Sequence, residues 1–198
     1  MTTHARLDVL CALVLMMLTG CAGSSTRFYV LTSMPAVSAA PAASPETAVA
    51  IGLYPVRLPA YLDRPEIVTR IDANRIQLAE FDQWGEPLQD AVTRILARNL
   101  SLLLPAGRVA TFPQAFSGAT DYAVTVDVVQ LDGTLGKECT LIARWALTGK
   151  GEKDPKATGV FTRNEPAGDS YATLVAAASR LIGALAQDIA TGIIRLPR

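Results

Sequence analysis

Cys139-Thr140-Leu141-Ile142-Ala143-Arg144-Trp145-Ala146-Leu147-Thr148 is the stretch from which the fold can be read. Thr140, Ile142 and Arg144 alternate with Leu141, Ala143 and Trp145. Side chains two apart share one face of an extended chain, so this period predicts a strand with one apolar side. Upstream, Tyr122 to Val129 is rich in β-branched residues and predicts a second strand. Downstream, Gly149 to Lys156 is a charged turn with Gly and Pro, and Thr158 to Glu165 completes a meander. Such a sheet needs a cover for its apolar face.

Two helices can supply that cover. Leu88, Val92, Ile95, Leu96, Leu100 and Leu103 recur at helical spacing, with Gln89, Asp90, Arg94 and Arg98 on other faces. Pro87 stands near the first turn, and Pro105 and Gly107 end the pattern. A second helix starts near Ser170, capped by Asp169 or Ser170, with Leu174, Ala178, Leu181, Leu185, Ile189 and Ile193 as its stripe.

The first half of the chain adds shorter strands. Arg27 to Thr32 and Ala48 to Val56 have strand composition, and Pro55 marks an edge or a strand end. Ile67 to Ile71 and Arg75 to Glu80 predict a hairpin across Asp72-Ala73-Asn74. Phe81 to Pro87 reads as the entry to the helix, and Val109 to Phe112 as a short strand. Ser33 to Thr47, rich in Ala, Pro and Ser, reads as an extended loop between strands. There is no internal repeat and no heptad run. The expected architecture is α/β (α+β): a single domain over residues 27–198, with a Pro/Ala-rich loop at 33–47 and a mixed, mostly antiparallel sheet on which two main helices pack.

Half of the 198 residues are apolar and 18% are charged, enough for a sizeable core. Lys plus Arg equals Asp plus Glu, 18 each. A neutral balance argues against nucleic acid, whose phosphates demand a basic footprint, and against a polybasic membrane patch.

Residues 1–20 carry a separate signal. Arg6 leads into an apolar run from Val9 to Leu18, with Asp8 as an irregularity beside it. The run is shorter than the about 20 apolar residues of a membrane-spanning helix and has the layout of a secretory signal peptide. Leu18-Thr19-Gly20-Cys21 resembles the lipobox of bacterial lipoproteins, in which the cysteine is lipidated and becomes the first mature residue. That resemblance implies acyl chains on Cys21, each contributing about 0.8 kcal/mol per buried methylene. Ala22 and Gly23 follow, with no aspartate to signal inner-membrane retention, so the inner leaflet of an outer membrane is the expected site. Residues 21–26 make only a short tether: Ala22 to Thr26 reach roughly 17 Å at about 3.3 Å per residue. The domain is therefore expected to sit close against its membrane.

The inventory for chemistry is small. The only histidine, His4, lies in the signal, which removes histidine-based triads and histidine zinc sites from the mature chain. Cys139, alone in an apolar alternating run, reads as a small buried hydrophobe. No phosphate-binding glycine loop follows a strand. Glu80, Asp82 and Glu86 cluster around Phe81 and Trp84, and a carboxylate pair can serve acid–base chemistry. Acids at such a junction are more often solvated or capping. No catalytic residue, cofactor or metal site is predicted. Tyr61 and Arg64 are of the types enriched at interface hot spots. Trp145 reads as core, while Trp84 reads either as a cover for the helix start or as a partner contact.

Val56-Arg57-Leu58-Pro59-Ala60-Tyr61-Leu62-Asp63-Arg64-Pro65, Ile67-Val68-Thr69-Arg70, Asn74-Arg75 and Trp84-Gly85-Glu86-Pro87-Leu88 together carry a resemblance. They resemble the auxiliary lipoproteins of ABC-type transport systems, which include the paraquat-inducible protein C lipoproteins. Phe28-Tyr29-Val30-Leu31 and Leu174 to Arg180 are similar too. The resemblance implies an α/β fold and a non-enzymatic, periplasm-facing outer-membrane lipoprotein. Its implied partners are an MCE-domain (mammalian cell entry) protein and, through it, an inner-membrane permease and ATPase that move lipids or other hydrophobic compounds. Tyr61, Leu62, Asp63, Arg64, Arg70 and Trp84 are the candidate docking residues. Self-association into a ring suits a subunit that caps a symmetric tube, though no residue specifies it. Two other functions are set against this one. A lipid carrier needs its own apolar cavity of about 300–1,000 Å³, and an envelope hydrolase needs the Glu80–Glu86 carboxylates.

Overall fold

The structure, a computed structural model, describes residues 25–35, 49–104, 108–112 and 120–196. The signal segment, Cys21, most of the Pro/Ala-rich loop and the Pro105–Gly107 helix stop lie outside the described residues. Among the described residues, eight strands, two α-helices and a 3-10 turn follow in the order β1 (Arg27–Tyr29), β2 (Ala50–Leu53), 3-10 turn (Ala60–Leu62), β3 (Glu66–Arg70), β4 (Ile76–Trp84), α1 (Leu88–Leu103), β5 (Arg108–Thr111), β6 (Tyr122–Gly133), β7 (Glu138–Gly149), β8 (Pro155–Pro166) and α2 (Tyr171–Ile194).

The predicted meander is the frame. β6, β7 and β8 pair antiparallel, and β2 and β5 extend the sheet in parallel, giving the order β5-β2-β6-β7-β8. In β7, Cys139, Leu141, Ala143, Trp145 and Leu147 are buried while Arg144 is exposed, the alternation the sequence predicts. Against the apolar face lie α2 and, beside it, α1. Leu181, Ile182, Leu185 and Ile189 of α2 have no exposed surface. Although α2 is long and apolar enough to cross a membrane, it serves here as the core helix. It approaches the sheet closely where Gly192 and Gly159 lie against the Trp145 ring, and a β-carbon at either glycine would collide with the indole. The indole N–H donates to Asp188 Oδ2 at 2.7 Å, so Trp145 is core with its polar atom satisfied.

The remaining strands form a second sheet, β1-β4-β3, in which β1 runs parallel and β3 antiparallel to β4. The fold class is thus the expected α+β domain with two helices, with the strands divided between two mixed sheets. Proline chemistry explains the division. β2 is internal, flanked by β5 and β6, and Pro55 stands just past its end, where the missing N–H stops the ladder. The chain then follows β6 through Tyr54 N–H to Val124 O (3.0 Å), Arg57 N–H to Val126 O (3.0 Å) and Val128 N–H to Arg57 O (2.9 Å). Beyond Pro59 the 3-10 turn lifts it into the second sheet. β4 also differs from expectation. It runs through Trp84, so Phe81 to Trp84 is strand and not helix entry, because β1 supplies a ladder to Asp82–Trp84 that local sequence cannot reveal.

Ser170, one of two expected caps, is the N-cap of α2. Its hydroxyl accepts from Thr173 N–H at 3.2 Å, and Thr173 Oγ1 accepts from Ser170 N–H at 3.2 Å. Ser170→Ala is expected to cost about 1 kcal/mol, or on the order of 2–4 °C in melting temperature for a chain of this size. Thermal unfolding followed by circular dichroism checks this, and an unchanged melting temperature contradicts it.

Candidate functional site

The turn from Leu58 to Pro65 holds most of the candidate residues, and its backbone is tightly closed. Leu62 N–H donates to Pro59 O (2.9 Å), Asp63 N–H to Ala60 O (3.2 Å) and Arg64 N–H to Leu62 O (2.9 Å). Pro65 O accepts from Trp84 N–H at 2.7 Å, which fastens the turn to the far end of β4. The turn therefore has an inner and an outer side, and the candidates divide between them.

On the inner side, Leu62 is 3% exposed and belongs to the core. Tyr61 donates its hydroxyl to Asp132 Oδ2 at 2.7 Å. Arg70 grips the same carboxylate with both arms, Nε to Oδ1 at 2.9 Å and Nη2 to Oδ2 at 2.8 Å, and Gln130 Nε2 adds a bond to Oδ1 at 2.8 Å. The Asp132 side chain has no exposed surface. Burial pushes its carboxyl up, but the bonds from Arg70, Tyr61 and Gln130, with the Arg70 charge, outweigh burial and hold it below the usual range. Burial and the bond to Asp132 raise the Tyr61 phenol, and the bond to Asp132 raises the Arg70 guanidinium. Of the docking candidates, Leu62 is corrected to a core residue, while Tyr61 and Arg70 are half-buried with their polar atoms engaged by Asp132. Those polar atoms neutralise Asp132, which would be costly if left unpaired in its buried position.

The outer side keeps Asp63, Arg64 and Trp84. With Pro65, Glu86 and Leu88 they line an open groove of about 380 Å³. Asp63 is exposed and Trp84 half-buried. Arg64 Nε is shielded from water yet has no hydrogen-bond partner among the described residues. A shielded donor of this kind carries a desolvation cost that an incoming acceptor would relieve. Val30, 55% exposed, abuts Gly85 and extends the apolar rim. A larger groove of about 730 Å³ lies between α1 and β5, but Glu86, Asp90 and Arg94 are in its lining. Both grooves are open and carry charge, unlike the apolar cavity that a lipid carrier needs.

The three clustered acids occupy separate surroundings. Glu80 is exposed on β4, and Glu86 pairs with Arg94. Asp82 is 3% exposed and accepts from Arg27 Nη2 (2.8 Å) and Tyr29 Oη (2.7 Å). Burial raises the Asp82 carboxyl, while Arg27 and Tyr29 bring it below the usual range, the reverse of what a general acid needs. Cys139 is 1% exposed, and burial pushes its thiol up to about 12, so it packs and does not react. Among the described residues no cluster of His, Cys, Asp and Glu could hold a metal ion.

Sequence reading missed Asp132. Its signal is a lone carboxylate in the apolar run Val128-Val129-Gln130-Leu131-Asp132, and a register shift in β6 between Val128 and Gln130 obscured the alternation there. Since folding lowers the pKa of Asp82 and Asp132, their stabilisation is complete above the ordinary carboxylate value, about 3.9, and is lost as pH falls through the lowered values. The melting temperature is expected to hold from about pH 7 to 5 and to drop below about pH 4, and Asp132→Asn should flatten that acid limb. Tyr61→Phe removes one bond to a buried charge and is expected to cost about 1.5–3 kcal/mol. Urea unfolding of a Tyr61→Phe protein at parental stability would contradict the assignment.

Comparison with known proteins places this geometry. A family model described as the ABC-type transport auxiliary lipoprotein component matches residues 29–190. No curated protein matches the chain in sequence. One solved structure, of an uncharacterised protein, superposes with a TM-score of 0.71 at 20% identity, covering 86% of this chain and 99% of that one. Protein XCC0632 from Xanthomonas campestris, described by the family model DUF330, gives 0.69 at 19% identity over 85% and 95%. Hypothetical protein CT253 from Chlamydia trachomatis gives 0.50 at 8% identity over 74% and 98%. At these identities the likeness is one of fold. The family match runs from the end of β1 into α2 and contains both the Asp132 clamp and the outer groove, and on it the chain belongs to the ABC-type transport auxiliary lipoproteins.

Proposed function

We propose that the protein is the outer-membrane lipoprotein subunit of an MCE/ABC-type system that carries lipids or other hydrophobic compounds between membranes. In this reading it has no catalytic step and serves as a docking or assembly component. The family match over residues 29–190 is the observation that carries the proposal. Cys21 takes the lipid, and Ala22 and Gly23 leave the chain free to reach the inner leaflet of the outer membrane. An MCE-domain protein is the direct partner, and the permease and ATPase act through it.

The physical need is plain. A lipid tail exposed to the periplasm costs roughly 0.8 kcal/mol per methylene. A conduit that shields it must end at the far membrane, and a small anchored domain can seat that end. Membrane confinement raises the effective concentration, so the contact can be weak in isolation. The groove around Arg64 and Trp84 suits such a contact: an aromatic surface beside a cationic donor that lacks an acceptor.

Arg64→Ala and Trp84→Ala, made singly in the full lipidated chain, test the docking role. Each is expected to weaken capture of the purified MCE partner by on the order of 30-fold, the effect of a 2 kcal/mol hot spot. The melting temperature of Arg64→Ala should stay near the parent, whereas Trp84 also packs on the core, so Trp84→Ala is compared at a temperature where circular dichroism shows it folded. If both proteins bind as tightly as the parent, the groove is not the docking surface.

A further inference from the structure

We infer that the β3–β4 hairpin is the surface through which the domain rests on the lipid bilayer. The inference builds on the proposed lipid anchor at Cys21 and adds the orientation in which that anchor holds the domain.

The direction of β1 provides the first observation. It runs parallel to β4, with Arg27 opposite Asp82 and Tyr29 opposite Trp84. The chain therefore enters β1 from the side of the sheet where β4 begins, the end that carries the hairpin turn. Cys21 precedes Arg27 by six residues, and Ile76 precedes Asp82 by the same six. An extended tether spans roughly 20 Å over that distance, at about 3.3 Å per residue, which is also the length of strand between Asp82 and Ile76. Six residues are thus long enough for the lipidated residue to reach the level of the hairpin.

The character of the hairpin provides the second. Ile71 is 49% exposed, Ile76 38% and Leu78 40%, so large apolar side chains are gathered within reach of the proposed anchor. The charged residues at the turn itself are paired, while Glu80, further along β4, stays exposed. Arg75 bonds Asp72 at 2.6 Å, and Arg70 is occupied by Asp132 and by Ala73 O at 3.1 Å. β1 pairs only with Asp82–Trp84, so among the described residues the β4 edge from Ile76 to Phe81 has no strand on that side. That edge can meet water or headgroups. An apolar, charge-compensated tip beside a lipid anchor fits shallow insertion at the headgroup level, about 5–10 Å deep.

Site-directed fluorescence tests this in the lipidated full chain, reconstituted into vesicles of phosphatidylethanolamine and phosphatidylglycerol containing brominated lipid. Single cysteines at Ile76, Leu78 and Phe28 (Ile76→Cys, Leu78→Cys, Phe28→Cys) are labelled with bimane, while buried Cys139 stays unlabelled. Phe28, 67% exposed, reports the far end of the same sheet edge. Labels at 76 and 78 are expected to be quenched about two-fold or more, and the label at 28 little. Equal quenching at all three positions, stronger quenching at 28, or none in vesicle-bound protein overturns the orientation. Intact mass and vesicle flotation separate this from failure of the premise, because a protein without acyl mass that does not float overturns the anchor itself.

Discussion

The whole arrangement depends on one buried carboxylate. Asp132 sits on β6 with no exposed surface, and every bond that neutralises it comes from a defined place: Tyr61 from the turn, Arg70 from β3 and Gln130 from β6 itself. Thr134 Oγ1, just past β6, adds a bond to Arg70 O at 2.9 Å, and side chains from both sheets share one core. A partly paired buried charge is unstable, so the small sheet and the turn must seat together on β6 or not at all. The same device recurs at the other edge of the small sheet, where Asp82 takes an arginine and a tyrosine from β1. Each aspartate locks in place an element too short to be stable alone.

That locking accounts for the site. Because Tyr61 and Arg70 hold the turn from below, Asp63, Arg64 and Trp84 are presented above it on a rigid base. β4 then acts as an axis. Its first residues, in the hairpin, lie toward the proposed membrane contact, and its last, Trp84, lies in the groove. At about 3.3 Å per residue the nine residues of β4 set these ends roughly 26 Å apart. In the proposed orientation a partner arriving from across the periplasm meets the groove first, while the hairpin rests on lipid.

How much of this was legible in the sequence follows from which interactions are local. The β7 alternation, both helical stripes and the Ser170 cap are short-range patterns, and the structure follows them closely. Cys139 and Trp145 were readable as core for the same reason. The split into two sheets was not readable, because it depends on which strands pair across long sequence separations. Asp82 to Trp84 pair with β1, more than fifty residues earlier, and Gln83 also pairs with Glu66 of β3. Among the docking candidates, residue type pointed to Tyr61 and Arg64, with Arg70 in the charged stretch beside them. What the sequence could not show is that Asp132, some 60–70 residues away, engages Tyr61 and Arg70.

Photo-crosslinking in intact cells tests the central claim most directly. A photoreactive residue at Asp63, beside the groove, and another at Ile76, in the hairpin, would be compared in the full lipidated chain. The result in favour is a covalent adduct between position 63 and an MCE-domain protein, identified by mass spectrometry, with none from position 76. An MCE adduct from position 76 alone, or from neither position in cells where the transport system is expressed, would contradict it.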